Sequence, residues 1–193
     1  MKPENCAVII LASGLSERFG KVDKLMTEFR GRPLVQHAID AARAVPFAER
    51  FAVIPSASIE RRKLFNYEGY SLIENERPQL GQGGSLRLGA QGAMAKGHKA
   101  ICVMLGDMPF IQSDDIMDLM HNLSDKDRAI SYCKKTLIPP TIFTNDALEA
   151  LLKIDLKQGA KVLFNSTNCY KHPLSERAAR DIDTLETLME LSL

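Results

Sequence analysis

The sequence predicts an α/β fold: a mostly parallel sheet with helices on both faces. Three observations carry this. Short apolar runs, Ala7 to Leu11 and Ala100 to Leu105 foremost, have no polar break, as in strands buried on both faces. Strand-like and helix-like patterns alternate over about the first 120 residues, the signature of strand–helix–strand units. Both apolar runs end at once in small or acidic residues, Ala12-Ser13-Gly14 and Gly106-Asp107. Ligands of open α/β sheets sit at that end of the strands.

In chain order, Ala7 to Leu11 is the first strand. Pro33 opens a helix in which Leu34, Ala38, Ala41, Ala42 and Val45 share one face, and Pro46 ends it. Phe51 to Ile54 is a second strand, stopped by Pro55. Ser58 to Phe65 reads as helical, and Tyr70 to Ile73 as a weaker strand. Gln79 to Ser85 reads as a glycine-rich loop, after which Leu86, Ala90 and Ala93 recur at helical spacing. Ala100 to Leu105 is the next strand. Ser113 can cap a helix with Asp114 and Asp115 in its first turn and Ile116, Leu119, Met120 and Leu123 on its apolar face. Ala129 to Cys133 is a strand. Thr144 or Asn145 caps a helix carrying Leu148, Leu151 and Leu152, and Gly159 to Phe164 is a short helical stretch. Asp183 or Thr184 starts the last helix, with Leu185, Leu188 and Met189 expected inward. The C-terminal third is expected to add antiparallel or edge strands.

Length and composition narrow the classes. A chain of 193 residues fits one domain, 1–193, with a substantial core. The net charge of +1 encodes no general attraction to nucleic acid or membrane. No apolar run approaches the roughly 20 residues of a membrane span, and the first residues lack the apolar core of a signal peptide. Cys6, Cys102, Cys133 and Cys169 are far apart and form no Cys-x-x-Cys, so reduced thiols in a cytoplasmic protein are expected.

Several stretches could carry chemistry. After the first strand, Ala12, Ser13, Gly14 and Ser16 let backbone approach a ligand closely, and successive amides in such a turn can hold an anion. Arg18 and Lys24 add positive charge, and a triphosphate is the ligand this suggests. The loop is neither a Walker A sequence nor Gly-x-Gly-x-x-Gly. Its bland reading is a tight turn followed by a solvated basic surface. Asp107 closes a buried strand at the same sheet edge. Facing a triphosphate it is a natural Mg²⁺ ligand, since magnesium is held by one or two carboxylates plus phosphate oxygens and water; otherwise it caps a turn. Asp181 and Asp183 are the candidates for a second metal carboxylate. Asp183, with Glu186 three residues on, also fits a helix N-cap, which makes Asp181 the better candidate. Gln79, Gly81, Gly83 and Ser85 could lie against a base, although Ser85 could also simply cap the helix after it. His37, His98, His121 and His172 form no catalytic or metal-spaced arrangement, and His37 reads as structural. No covalent intermediate is suggested.

Taken together, Leu11-Ala-Ser-Gly-Leu-Ser-Glu-Arg-Phe-Gly20 with Lys24, Gly81-Gln-Gly-Gly-Ser-Leu86 and Leu105-Gly-Asp-Met-Pro109 resemble the nucleotidyltransferases that make molybdenum cofactor dinucleotides. Pro139-Pro-Thr-Ile-Phe143, Gly159-Ala-Lys161 and Asp181-Ile-Asp-Thr184 are similar to later blocks of the cytidylyltransferase branch. The chain departs from that branch at Leu137-Ile-Pro-Pro140, Ala12-Ser-Gly14 and Asp183-Thr-Leu185, and the spacing up to Lys24 also resembles the guanylyltransferase branch. The resemblance implies a Rossmann-like three-layer fold and Mg²⁺-dependent transfer of a nucleotide, CMP favoured over GMP, from CTP or GTP to a phosphorylated acceptor such as molybdopterin. It implies phosphate binding by Ala12, Ser13, Gly14, Arg18 and Lys24, a place near the base for Gln79, Gly81 and Ser85, and magnesium on Asp107, with Leu11 and Gly83 also counted among the nucleotide-binding residues. Expected partners are the nucleoside triphosphate, the acceptor, and a recipient molybdoenzyme or its chaperone. Other classes stay open: a sugar-1-phosphate nucleotidylyltransferase, or a nucleotide-binding carrier without turnover. A nicotinamide-dependent dehydrogenase would need an acidic residue after the second strand, where this chain has Ile54-Pro-Ser-Ala.

Overall fold

Apolar runs without a polar break have to be covered on two sides, and the chain covers them. The computed structural model describes residues 1–16, 19–20, 22–153 and 160–192. Its elements are β1 (Ala7–Leu11), β2 (Glu28–Phe29), β3 (Arg32–Pro33), α1 (Leu34–Arg43), β4 (Glu49–Pro55), α2 (Ile59–Tyr67), β5 (Ser71–Asn75), α3 (Gly81–Ala95), β6 (Ala100–Leu105), α4 (Ser113–His121), β7 (Arg128–Cys133), β8 (Thr136–Thr144), α5 (Asn145–Lys153), β9 (Cys169–Pro173) and α6 (Leu185–Ser192).

The main sheet has seven strands in the order β5-β4-β1-β6-β8-β7-β9, and β2 and β3 form a separate two-stranded ribbon. β1 lies parallel to both β4 and β6, and β4 is parallel to β5. Along β1 the side chains alternate. Cys6, Val8 and Ile10 join the core with α1, α2, α4 and α6. Ala7, Ile9 and Leu11 join the opposite core with α3 and α5. The result is the three-layer, Rossmann-like architecture.

The chain runs outward from β1 to β4 and β5, then returns to place β6 on the other side of β1. The C-terminal ends of β1 and β6 therefore mark the point where strand order reverses, the usual ligand crevice of such sheets. The C-terminal third adds β8 antiparallel to β6 and β7, with β9 at the edge. Pro139 and Pro140 cannot donate to a ladder, and the β7–β8 register shifts between Ile130 and Ser131 opposite them. Ser131 Oγ donates to the Pro140 carbonyl instead, at 3.0 Å.

Some expectations need correction. The stretch from Gln79 to Ser85 is not a loop: Pro78–Leu80 is a 3₁₀ turn and Gly81 already begins α3. Gly81 has φ +75°, a left-handed conformation that glycine adopts without strain, so it makes the junction between turn and helix. Farther along α3, Gly89 lets the helix lie directly on the sheet. A Cβ there would sit 2.9 Å from Ile9 Cγ2 and 3.0 Å from Val53 Cγ2. Asn75 is the buried last residue of β5. In α6, Leu185 and Met189 point outward, at 38% and 66% exposure, and Leu188 faces the core. Gly159 falls outside the described residues. Among the described residues no helix is long and apolar enough to cross a membrane. His37 is structural as expected, with Nε2 3.0 Å from the Phe29 carbonyl and its ring edge-on to Phe29.

Candidate functional site

At the strand-order reversal lies a cleft of about 440 Å³. One wall is the turn after β1. The β ladder continues one residue past the strand, with Ala12 N–H donating to the Val53 carbonyl at 2.9 Å, and then releases the chain. Ser13, Gly14, Leu15 and Ser16 line the cleft from there. A Cβ at Gly14 would meet nothing within 4 Å, so this backbone faces open space.

The floor is built by β6. Gly106 N–H donates to the Leu11 carbonyl at 3.1 Å, which holds Asp107 beside the β1 turn. A 3₁₀ turn, Lys24–Met26, folds over this junction. Leu25 anchors it in the core, and a Cβ on Gly106 would come within 3.2 Å of Leu25 Cδ1. That close seating delivers the neighbouring Lys24 to Asp107, Nζ to Oδ2 2.6 Å.

The last wall comes from the segment before α6. Ile182, fully buried, donates its N–H to the Asp107 carbonyl at 3.0 Å and so lays the segment along the β6 exit. Asp183 then meets Lys24, Oδ1 to Nζ 3.0 Å. The ammonium is 13% exposed while the Asp183 side chain is 43% exposed and opens to the cleft. Burial alone would lower the Lys24 pKa; Asp107 first and Asp183 second outweigh it, and the net shift is upward. Lys24 is thus held as a cation. Asp107 and Asp183 both approach the Lys24 ammonium, which brings the two carboxylates together at the cleft wall. That donor set fits Mg²⁺, which takes few carboxylates and completes its octahedron with phosphate and water.

The helix N-cap role considered for Asp183 falls to its neighbour. Thr184 Oγ1 accepts from the Thr187 N–H at 3.1 Å, leaving the Asp183 carboxylate to the cleft. Asp181 is exposed and is not part of the cleft wall. Its pKa is raised, by partial burial first and then by Asp183 and Asp107. Of the two aspartates, the structure brings Asp183 to the cleft wall.

The glycine-rich turn supplies the remaining side, through Pro78, Gln79, Gly81, Gln82 and Ser85. Beneath it is a buried polar cluster. Asn75 Nδ2 donates to Ser13 Oγ at 2.9 Å and to Ser85 Oγ at 3.2 Å, and Asn75 Oδ1 accepts from the Arg77 N–H at 2.9 Å. The hydroxyls of Ser13 and Ser85 are thus engaged with Asn75, and what these residues offer the cleft is chiefly their position. Leu11 also lines the cleft, whereas Ala12 and Gly83 do not. Arg18 lies outside the described residues.

One residue that sequence reasoning passed over is Arg61 of α2. It is almost completely buried and contacts the back of the β1 turn. Its place in Glu60-Arg-Arg-Lys63 looks like a solvated charged face. The available signal was its i, i+4 spacing to Phe65, which puts both on one helix face, and both are buried.

Fold and cleft together define a Rossmann-like α/β protein with a ligand crevice at its strand-order reversal. A nucleotidyl transferase from Methanothermobacter thermautotrophicus superposes with TM-score 0.82 at 15% identity, covering 97% of this chain and 95% of that one. Rv0371c of Mycobacterium tuberculosis superposes with TM-score 0.79 at 19% identity, covering 97% of each. The chain belongs to the family with the MobA-like NTP transferase domain, which matches residues 8–173. A probable molybdenum cofactor guanylyltransferase of Thermococcus sibiricus is 28% identical over 174 residues, 84% of this chain and 82% of that protein. The bifunctional protein GlmU of Koribacter versatilis is 31% identical over 112 residues, and that match covers 23% of its length.

Proposed function

We propose that the protein transfers a nucleoside monophosphate from a nucleoside triphosphate to a phosphorylated acceptor and releases pyrophosphate. The acceptor we favour is molybdopterin, and the nucleotide CMP from CTP. The observation that carries the reading is the meeting of the Ser13–Ser16 turn, Lys24, Asp107 and Asp183 around one cleft at the strand-order reversal.

The chemistry is an in-line displacement. An acceptor phosphate oxygen forms a bond to the α-phosphorus, the bond from that phosphorus to the β-bridging oxygen breaks, and pyrophosphate leaves with the electron pair. Phosphate oxygens are ionised at neutral pH, so no general base is required, in keeping with a cleft wall that contains no histidine among the described residues. The protein's work is positioning and charge neutralisation. With the Ala12 N–H spent on the Val53 carbonyl, the amides of the Ser13–Leu15 turn hold the departing phosphates, and Arg18, on sequence grounds alone, adds charge there. Lys24 offsets charge on the α-phosphate. Asp107 and Asp183 are the residues that would hold Mg²⁺, with Asp181 an outer neighbour, and the ion when bound supplies neutralisation of the clustered phosphate charge. Gln79, Gly81 and Ser85 border the space left for the base, with Gly83 behind them.

The relatives supply both nucleotide choices by name: a molybdenum cofactor guanylyltransferase, and a 2-C-methyl-D-erythritol 4-phosphate cytidylyltransferase of Chlamydia abortus, 30% identical over 116 residues. The decisive experiment measures pyrophosphate release with each of the four nucleoside triphosphates against molybdopterin and hexose 1-phosphates, with and without Mg²⁺. Release that needs CTP and molybdopterin together is the expected result. GTP in place of CTP corrects the base, a hexose phosphate corrects the acceptor, and nucleotide binding without any release overturns the transferase reading.

A further inference from the structure

We infer that Arg61 is a positioning residue that aims the backbone amides of the β1 turn and sets their distance from Lys24. The inference rests on the nucleotidyltransferase reading and concerns the same site from behind. The Arg61 side chain is 4% exposed. It borders a separate hollow of about 210 Å³ on the far side of the turn and is not part of the main cleft wall.

Its guanidinium makes contacts on two sides. Toward the Lys24 turn it grips Asp23 with two nitrogens, Nε to Oδ2 2.8 Å and Nη2 to Oδ1 2.6 Å. Asp23 in turn accepts the Leu25 N–H at 3.0 Å and so caps the turn that carries Lys24. Toward the β1 turn, Nη1 donates to the carbonyls of Ala12 at 2.6 Å and Gly14 at 3.0 Å. Across a trans peptide the C=O and the following N–H point in opposite directions. Pulling the Ala12 and Gly14 carbonyls toward Arg61 therefore turns the N–H groups of Ser13 and Leu15 away from it. Both of those residues line the main cleft. Anion binding by a turn depends on such amides sharing one direction.

The charge of Arg61 is matched by Asp23, so it is no anion ligand. A buried ion pair alone is weak evidence of stability, since apolar packing often does as well. What an apolar side chain would lack is the planar fork, which ties two backbone carbonyls to one carboxylate. Lysine keeps the charge and lacks the fork.

The test compares wild type, Arg61→Lys, Asp23→Asn and, at the neighbouring half-buried position that pairs with Glu74, Arg62→Ala. Titration calorimetry with inorganic triphosphate reads the turn, and KM for the nucleoside triphosphate, KM for the acceptor and kcat read the reaction. Thermal unfolding followed by circular dichroism checks the fold. Arg61→Lys is expected to weaken triphosphate about tenfold or more. KM for the nucleotide rises with it, while KM for the acceptor stays within about twofold and Arg62→Ala matches wild type. A folded Arg61→Lys that binds triphosphate within about twofold of wild type overturns the inference. Should that variant fail to fold, Asp23→Asn serves in its place, and near-wild-type triphosphate binding by it overturns the inference equally. A wild-type protein that binds neither triphosphate nor nucleotide overturns the transferase reading itself, which separates the two failures.

Discussion

At the N-terminal ends of β4 and β5, Glu49 accepts a hydrogen bond from Ser71 Oγ at 2.8 Å. The same carboxylate lies 2.9 Å from Nε2 of His98, just before β6, whose ring sits edge-on to Phe51. At the C-terminal ends of the same sheet stand Ser13, Asn75 and Asp107, with Lys24 and Asp183 closing over them. Both ends use carboxylates, hydroxyls and a basic group. In the first, the groups meet one another and close the sheet edge. In the second, two carboxylates meet the Lys24 ammonium and border open volume. Charged groups that border a cavity, more than the presence of charge, separate a site from a clasp.

The largest effect that would test this contrast is at Asp107. Asp107→Ala is expected to lower kcat by about 10²–10³, the usual loss for one charged contact at a transition state, with an unchanged circular dichroism spectrum. Near-normal turnover would show that the cleft is no more functional than the Glu49 edge. A smaller step separates the two later aspartates. Asp183→Asn is expected to weaken Mg²⁺-dependent turnover by about tenfold or more, and Asp181→Asn to leave it within about threefold. Asp181 carries a raised pKa, so its ionised form is disfavoured in the folded state. Removing that charge should slightly raise the melting temperature at neutral pH. The gain should fade as pH falls into the carboxylate range, where the wild-type group becomes protonated as well. The reverse activity order would return the metal role to Asp181. Next comes Asn75→Ala, which leaves the buried Ser13 and Ser85 hydroxyls without their amide partner. A loss of about 1–3 kcal/mol in urea unfolding is expected, together with a higher KM for nucleotide.

The sequence made the strands of the site legible and its supports much less so. β1 and β6 are apolar on both faces, a pattern with few alternatives, and their order with the intervening helices leads to the crevice between them. Asp107 and Lys24 followed from that. The glycine-rich start of α3 reads as a loop because glycine disfavours helix, yet packing on the sheet and the Asn75–Ser85 hydrogen bond override the propensity. The place of Asp183 on the cleft wall is hard to read from sequence for a related reason. A capping pattern describes only local chain, while the Ile182-to-Asp107 backbone bond and Lys24 are contacts from distant sequence. The same long-range anchoring sets the roll of α6, so Met189 faces water although its spacing from Leu185 and Leu188 suggested a common buried stripe. Arg61 hid in a charged run because helical charge usually solvates, and only tertiary contact shows which member turns inward.

The smallest expected effect lies at the other end of the sheet. The Glu49 pKa is lowered, chiefly by its hydrogen bond to His98 and, against a smaller opposing effect of burial, by Ser71. A carboxylate whose pKa is depressed in the folded state stabilises that state above its unfolded pKa, roughly 4.3 for glutamate. The contribution is lost as pH falls through the lower, folded value. Because the group is partly open to solvent, screening keeps the contribution below about 1 kcal/mol. Glu49→Gln is therefore expected to reduce stability by less than about 1 kcal/mol at pH 7. The deficit should shrink on acidification, and nucleotide transfer should stay at the wild-type rate. Urea unfolding at several pH values, run beside the pyrophosphate assay, reads both. A Glu49 variant that unfolded normally but lost transfer would mean that the two ends of the sheet are coupled, and that the closed edge is also part of the machinery.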